Sequence, residues 1–149
     1  IEELNDIKYN KDILHQSKLI NYFNGDFAKS KIEKDLNNFL KKIKKNKKYV
    51  ISKKDKMFLE SIKSDGIEIS KKYKDLYKID ESGMPSDMQV MINNREIGAT
   101  LLRIIQVIGQ DRLQSLDDDT LYFIISALNQ LDIDFIRNKI LLKVLPLKV

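Results

Sequence analysis

The chain carries one histidine, His15, and no cysteine among its 149 residues. General acid–base catalysis near neutral pH most often uses a histidine, because its unperturbed pKa lies there. His15 stands far in sequence from any nucleophile motif and reads as a structural or exposed histidine. The composition excludes a two-His metal site, a thiol nucleophile, a Cys-based zinc site and a disulfide framework. Asp117-Asp118-Asp119 suggest a cation site. Their spacing, however, lacks the alternating ligands, glycine and closing glutamate of a calcium loop. Negative charge at a helix start is favoured by the helix dipole, which accounts for them. Ser52, Ser70, Ser86 and Ser115 each precede a predicted helix and read as caps. Neither G-x-S-x-G, a phosphate-binding loop nor a dinucleotide glycine pattern occurs. The sequence thus predicts no catalytic residue, no metal site and no cofactor.

Charge offers a different chemistry. Lys exceeds Arg by 23 to 4 and the net charge is +5. An AT-rich genome favours Lys, Asn and Ile codons, which accounts for part of this bias. The excess is local: residues 1–83 hold 20 Lys and no Arg against 14 acids, whereas residues 84–149 hold 7 basic and 8 acidic residues. Lys41, Lys42, Lys44, Lys45, Lys47, Lys48, Lys53, Lys54 and Lys56 place nine positive charges beside a single acid, Asp55. Such a cluster suits phosphate backbones or an anionic membrane surface, with affinity that falls steeply with salt. It lacks the arginine that makes bidentate phosphate and base contacts, and it lacks an interleaved aromatic platform. A solvated helix end and loop is the competing reading. The aromatics Tyr122, Phe123 and Phe135 fall partly off the apolar stripes and mark a candidate partner surface.

The elements that must position these residues are helical. Five Gly, two Pro and apolar residues at helical spacing argue for an all-α protein of about seven helices. The first firm helix is expected over Lys11–Phe23, with a stop at Asn24-Gly25. The second follows Asp26 as N-cap, with Ile32, Leu36, Phe39, Leu40 and Ile43 on one stripe. Tyr49-Val50-Ile51 reads as an extended connector. A third helix spans Lys53–Ser64 behind Ser52 and ends at Asp65-Gly66. Ile67 and Ile69 turn inward, and Ser70 opens a short fourth helix. Ile79–Ser86 is the candidate linker, with a helix after Pro85 running to about Asn93. Arg95–Ile108 is apolar on most of its circumference and is expected to be buried on most sides. Helices over Asp118–Gln130 and Asp134–Leu145 complete the chain. Short connections make neighbours pack antiparallel, as a helix-hairpin array, a solenoid-like terminus or a compact bundle. Residues 1–83 form a basic half and residues 84–149 an apolar unit, and the two are expected to share one core.

The segment from Glu96 to Leu145 resembles the C-terminal region of uncharacterised helical-repeat proteins of alphaproteobacteria. The matching residues are Gly98, Leu101, Gly109, Leu116-Asp117, Leu121, Ala127-Leu128, Leu131 and Arg137. Asp132 departs from the glycine usual at that turn. The resemblance implies a tetratricopeptide-like α-solenoid end, no known catalytic residues and an exported protein. The first residue is Ile, which suggests a processed form or a piece of a longer chain. No apolar run approaches the roughly 18 residues of a membrane span. The expected function is a soluble, non-enzymatic protein–protein interaction or scaffold module. The alternative is a polyanion-binding module that uses the lysine cluster.

Overall fold

A computed structural model describes residues 6–77, 83–110 and 112–148. Six α-helices carry the fold: α1 Lys29–Lys45, α2 Lys53–Ser64, α3 Ser86–Asn93, α4 Ile97–Ile108, α5 Asp118–Gln130 and α6 Asp134–Val144. Short 3-10 segments at Leu14–Gln16 and Lys18–Asn24 precede α1, and others at Lys71–Leu76 and Leu113–Ser115 lie between α2 and α3 and between α4 and α5. The fold is all-α, and among the described residues there is no β-sheet, only an isolated antiparallel bridge between Ile7 and Lys148. Residues 79–82 of the expected linker lie outside the described residues.

The helix expected over Lys11–Phe23 is two 3-10 segments instead. Ser17 breaks it. The Ser17 hydroxyl donates to the Leu14 carbonyl at 2.7 Å and accepts from the Leu19 amide at 3.4 Å, so it takes backbone partners that an α-helix needs. Asp26 does not cap α1; the N-cap is Ala28, without a side-chain bond. The stripe of α1 is as the spacing demands, with Ile32, Leu36, Leu40 and Ile43 buried and Phe39 half-buried.

Helix α2 begins with a capping box. Ser52 accepts from the Asp55 amide, and the Asp55 carboxylate accepts from the Ser52 amide. Gly66 adopts φ +85° just beyond its end, a left-handed conformation that glycine enters without a Cβ clash. Ser70 caps the 3-10 segment after it through the Lys72 amide. Ser86 and Ser115 do not cap: Ser86 is the first residue of α3 behind Pro85, and Ser115 ends a 3-10 segment. The cap of α5 is Asp117.

The centre of the core is α2 against α5, with Met57, Phe58 and Ile62 meeting the buried Leu121, Ile124, Ile125 and Leu128. The segment Lys18–Asn24 packs on α6 and α1, and its Phe23 ring meets Phe58 edge-on. Buried residues from both halves of the sequence form one cluster. Helix α4 departs from expectation. It packs chiefly on α3, and Thr100 and Ile104 are its buried residues. The remaining aliphatics are half-buried or exposed.

Candidate functional sites

His15 is buried, and its surroundings define its role. Its Nδ1 lies 2.6 Å from Asp55 Oδ1, and its backbone amide donates to the same oxygen at 3.1 Å. An ionised carboxylate only accepts, so Nδ1 carries the proton. The Ser52 hydroxyl lies 3.5 Å from that same Nδ1. A Ser-His-Asp triad places the serine and the aspartate on opposite ring nitrogens, and this arrangement puts both on one. The Tyr49 hydroxyl donates to Asp55 Oδ2 at 2.8 Å and accepts from the Leu14 amide at 2.9 Å. Burial by itself would raise the Asp55 carboxyl; the hydrogen bonds and charge of His15, with the bond from Tyr49, outweigh it and hold the group below the usual carboxylate range. The cluster ties the N-terminal segment, the Tyr49 connector and the start of α2 together.

A second buried network surrounds Arg137, which is 0% exposed. Its guanidinium makes a two-pronged pair with Asp65, 2.8 Å to each carboxylate oxygen. It also donates to the side chains of Asn129 at 3.1 Å and Asn138 at 2.8 and 3.0 Å, and lies 5.6 Å from the centre of the Phe23 ring. Tyr22 donates to Asp65 at 2.7 Å, and its own pKa is pushed up first by burial and then by that carboxylate. These bonds occupy the guanidinium with protein partners. Residue types alone do not assign Arg137 and Asp65 this role. The available signal was weak: Arg137 is one of four arginines in the chain, and arginine suits buried bidentate pairing.

Four of the nine lysines meet partners in separate places. Lys42 points to one flank of α1 and pairs with Asp12 at 3.6 Å. Lys44 points to the other flank, where it donates to the Lys72 carbonyl at 2.9 Å and lies over Tyr73. Lys53 and Lys54 face α5 and pair with Asp119 at 2.7 Å and Asp118 at 3.8 Å. Lys41, Lys45, Lys47 and Lys48 are exposed, and Lys56 is half-buried. The Asp117 carboxylate accepts from the Thr120 amide at 2.7 Å, and that bond holds it below the usual range. The three adjacent aspartates are therefore one helix cap and two lysine partners.

The aromatic trio is likewise dispersed. Tyr122 is 4% exposed and faces Lys53, so it belongs to the core and not to a surface. Phe123 is half-buried against that core, and Phe135 is 71% exposed with Lys139 over its ring.

Besides Phe135, Val50 and Val90, several exposed aliphatics lie together on α4. Leu102 is 57% exposed, Ile105 63% and Ile97 43%. Leu102 and Ile105 share a helical stripe with the half-buried Leu101 and Ile108, and Gly98 sits on it without a side chain. The one charged residue within α4, Arg103, is 3.5 Å from Asp87 of α3. The sequence marked this helix as apolar, but periodicity does not tell a helix buried in its own chain from one awaiting a partner. No helix among the described residues is long and apolar enough to cross a membrane. Comparison with known proteins gives no matching family model, no matching curated protein and no matching solved structure.

Proposed function

We propose that the chain is a non-enzymatic protein–protein interaction module, and that its contact surface is the aliphatic stripe of α4. The observation that carries this reading is the exposure of Leu102 and Ile105 on a helix with almost no charge, in a chain that is 33% charged. Contiguous exposed aliphatics lose free energy to water and gain it on contact, at about 25 cal/mol per Å² of apolar surface covered. The contacts of α3 with α4, of α5 with α6 and of α3 with α5 support a further part of the proposal, the outline of a solenoid terminus. In that outline α4 is the outer helix, and its bare face is where a further helical layer would stack. The partner is thus a protein that offers an apolar helical face or groove. The non-enzymatic part of the reading is supported by His15, Asp55 and Arg137, all of which are engaged in holding the fold.

The test is site-specific photo-crosslinking in the source cell, with the probe at Leu102, at Ile105 and, as control, at Lys34 on the outer face of α1. The expected result is the same discrete protein adduct from Leu102 and Ile105 and none from Lys34. The double variant Leu102→Lys/Ile105→Lys should lose that partner while its stability stays within about 0.5 kcal/mol of the parent, as befits exposed positions. Equal adducts from all three probes, or none, would overturn the reading. Polyanion binding is the second reading, and the exposed Lys41, Lys45, Lys47 and Lys48 are what favour it.

A further inference from the structure

A groove of about 1100 Å³ runs between α1 and the N-terminal segment, on a side of the molecule formed without α4. Its apolar lining comes from Leu19, Phe27, Phe39 and Leu147. Its rim carries Lys8, Lys11, Lys18, Lys31 and Lys42, all exposed. The acids of the rim, Asp12 and Asp35, are each taken: Asp35 by Lys31 at 3.2 Å and Asp12 by Lys42 at 3.6 Å. The Lys42–Asp12 pair joins the two walls. Lys8, Lys11 and Lys18 bring further positive charge to the N-terminal side of the groove, beside its apolar lining.

We infer that this groove receives an acidic amphipathic helix from a partner protein, with its apolar residues on the apolar lining and its carboxylates on the rim lysines. Three features choose that occupant. The first is charge: among the described residues the groove is lined by five lysines against two acids, Asp12 and Asp35, so it favours an anionic ligand and disfavours a cationic one. The second is size. Small-molecule pockets of roughly 300–1,000 Å³ enclose most of their ligand, whereas this groove, at about 1100 Å³, is larger and open to solvent. A helix needs to bury one face only, which an open groove supplies. The third is length. Lys31, Asp35, Asn38 and Lys42 line the α1 wall at helical spacing, and a span of 11 residues at the rise of an α-helix is roughly 16 Å, about three turns of a docked helix.

The experiment uses a fluorescein-labelled peptide of about 15 residues, with leucines at i, i+3, i+4, i+7 and i+11 and glutamates between, long enough for about four turns once docked. Binding to the intact protein is followed by anisotropy at physiological salt. Amide shift changes in two-dimensional NMR locate the site. A scrambled peptide of the same composition, and one with lysine for glutamate, are controls. The expected result is saturable binding with shift changes at Lys11, Lys18, Phe27 and Phe39. The scrambled peptide and the variant Lys11→Glu/Lys18→Glu should each weaken binding about tenfold or more, and the lysine peptide should not bind. The variant replaces exposed side chains, and its circular dichroism and melting should match the parent. The Leu102→Lys/Ile105→Lys protein should bind the peptide unchanged, which separates this site from α4. No binding, equal binding of the scrambled peptide, or shifts that map elsewhere would overturn the inference. So would binding to phosphatidylglycerol vesicles, lost in Lys11→Glu/Lys18→Glu, without binding of the peptide; the occupant would then be a lipid surface.

Discussion

At the scale of single residues, the one histidine, weighed for acid–base chemistry, serves the interior through Asp55. Asp55 reads as the one acid in a lysine run, yet its side chain is 1% exposed. Its partners, Tyr49 and His15, lie 6 and 40 residues away, and pairing over such separations leaves no periodic trace. The consequence is a pH dependence of known sign. The folded-state pKa of Asp55 is below its unfolded value, so the group contributes stability above the ordinary carboxylate pKa of about 4, and that contribution is lost as pH falls through the folded value. Urea midpoints measured from pH 6 down to pH 2 should fall more steeply for the parent than for Asp55→Asn. Asp12→Asn, at an exposed position, should follow the parent. Parallel curves for the parent and Asp55→Asn would remove Asp55 from the set of groups that sense acid.

At the scale of elements, hydrophobic period located α2, α5 and α6 almost to the residue and picked out the buried stripe of α1, though not its start. It failed at Lys11–Phe23, where the Ser17 hydroxyl competes with the backbone, and in the burial assigned to α4. The turn between α5 and α6 shows local backbone chemistry that is legible in one residue. Asp132 departs from the glycine expected there by resemblance, and it adopts φ +57°. A left-handed residue with a Cβ costs roughly 1–2 kcal/mol, less for aspartate, while glycine gives back about 0.5–1 kcal/mol through the entropy of the unfolded chain. The balance favours Asp132→Gly by about 0.5 kcal/mol, since Asp132 is exposed and its helices stay intact. Differential scanning calorimetry of the variant should show a small rise in Tm. A fall would mean that the aspartate side chain supports the turn in a way its φ does not reveal.

At the scale of the whole molecule, the change in composition near residue 83 does not divide the core. The charge asymmetry belongs to the surface, and surface charge says little about which helices pack together. Helix α5 has its main apolar partner in α2, and α6 packs on the segment Lys18–Asn24. The Arg137 guanidinium is fully buried in the 84–149 half, and its bidentate carboxylate, Asp65, comes from the other. Removing residues 1–83 would therefore leave Leu121, Ile124, Ile125 and Leu128 without the α2 face that covers them. It would also take from Arg137 its bidentate carboxylate and leave only Asp134 at 3.5 Å, and breaking a buried pair costs about 3–5 kcal/mol. A domain is typically stable by only about 5–15 kcal/mol, so the two losses together exceed what the remaining helices can supply. The isolated fragment 84–149 should accordingly show reduced helical circular dichroism and no cooperative thermal transition, whereas the full chain melts in one step. Adding a separately made fragment 1–83 should restore helicity in proportion to its concentration, because each fragment carries half of the α2–α5 interface. A cooperative transition in 84–149 alone would show that the C-terminal helices hold a core of their own, with Arg137 settled in it without Asp65.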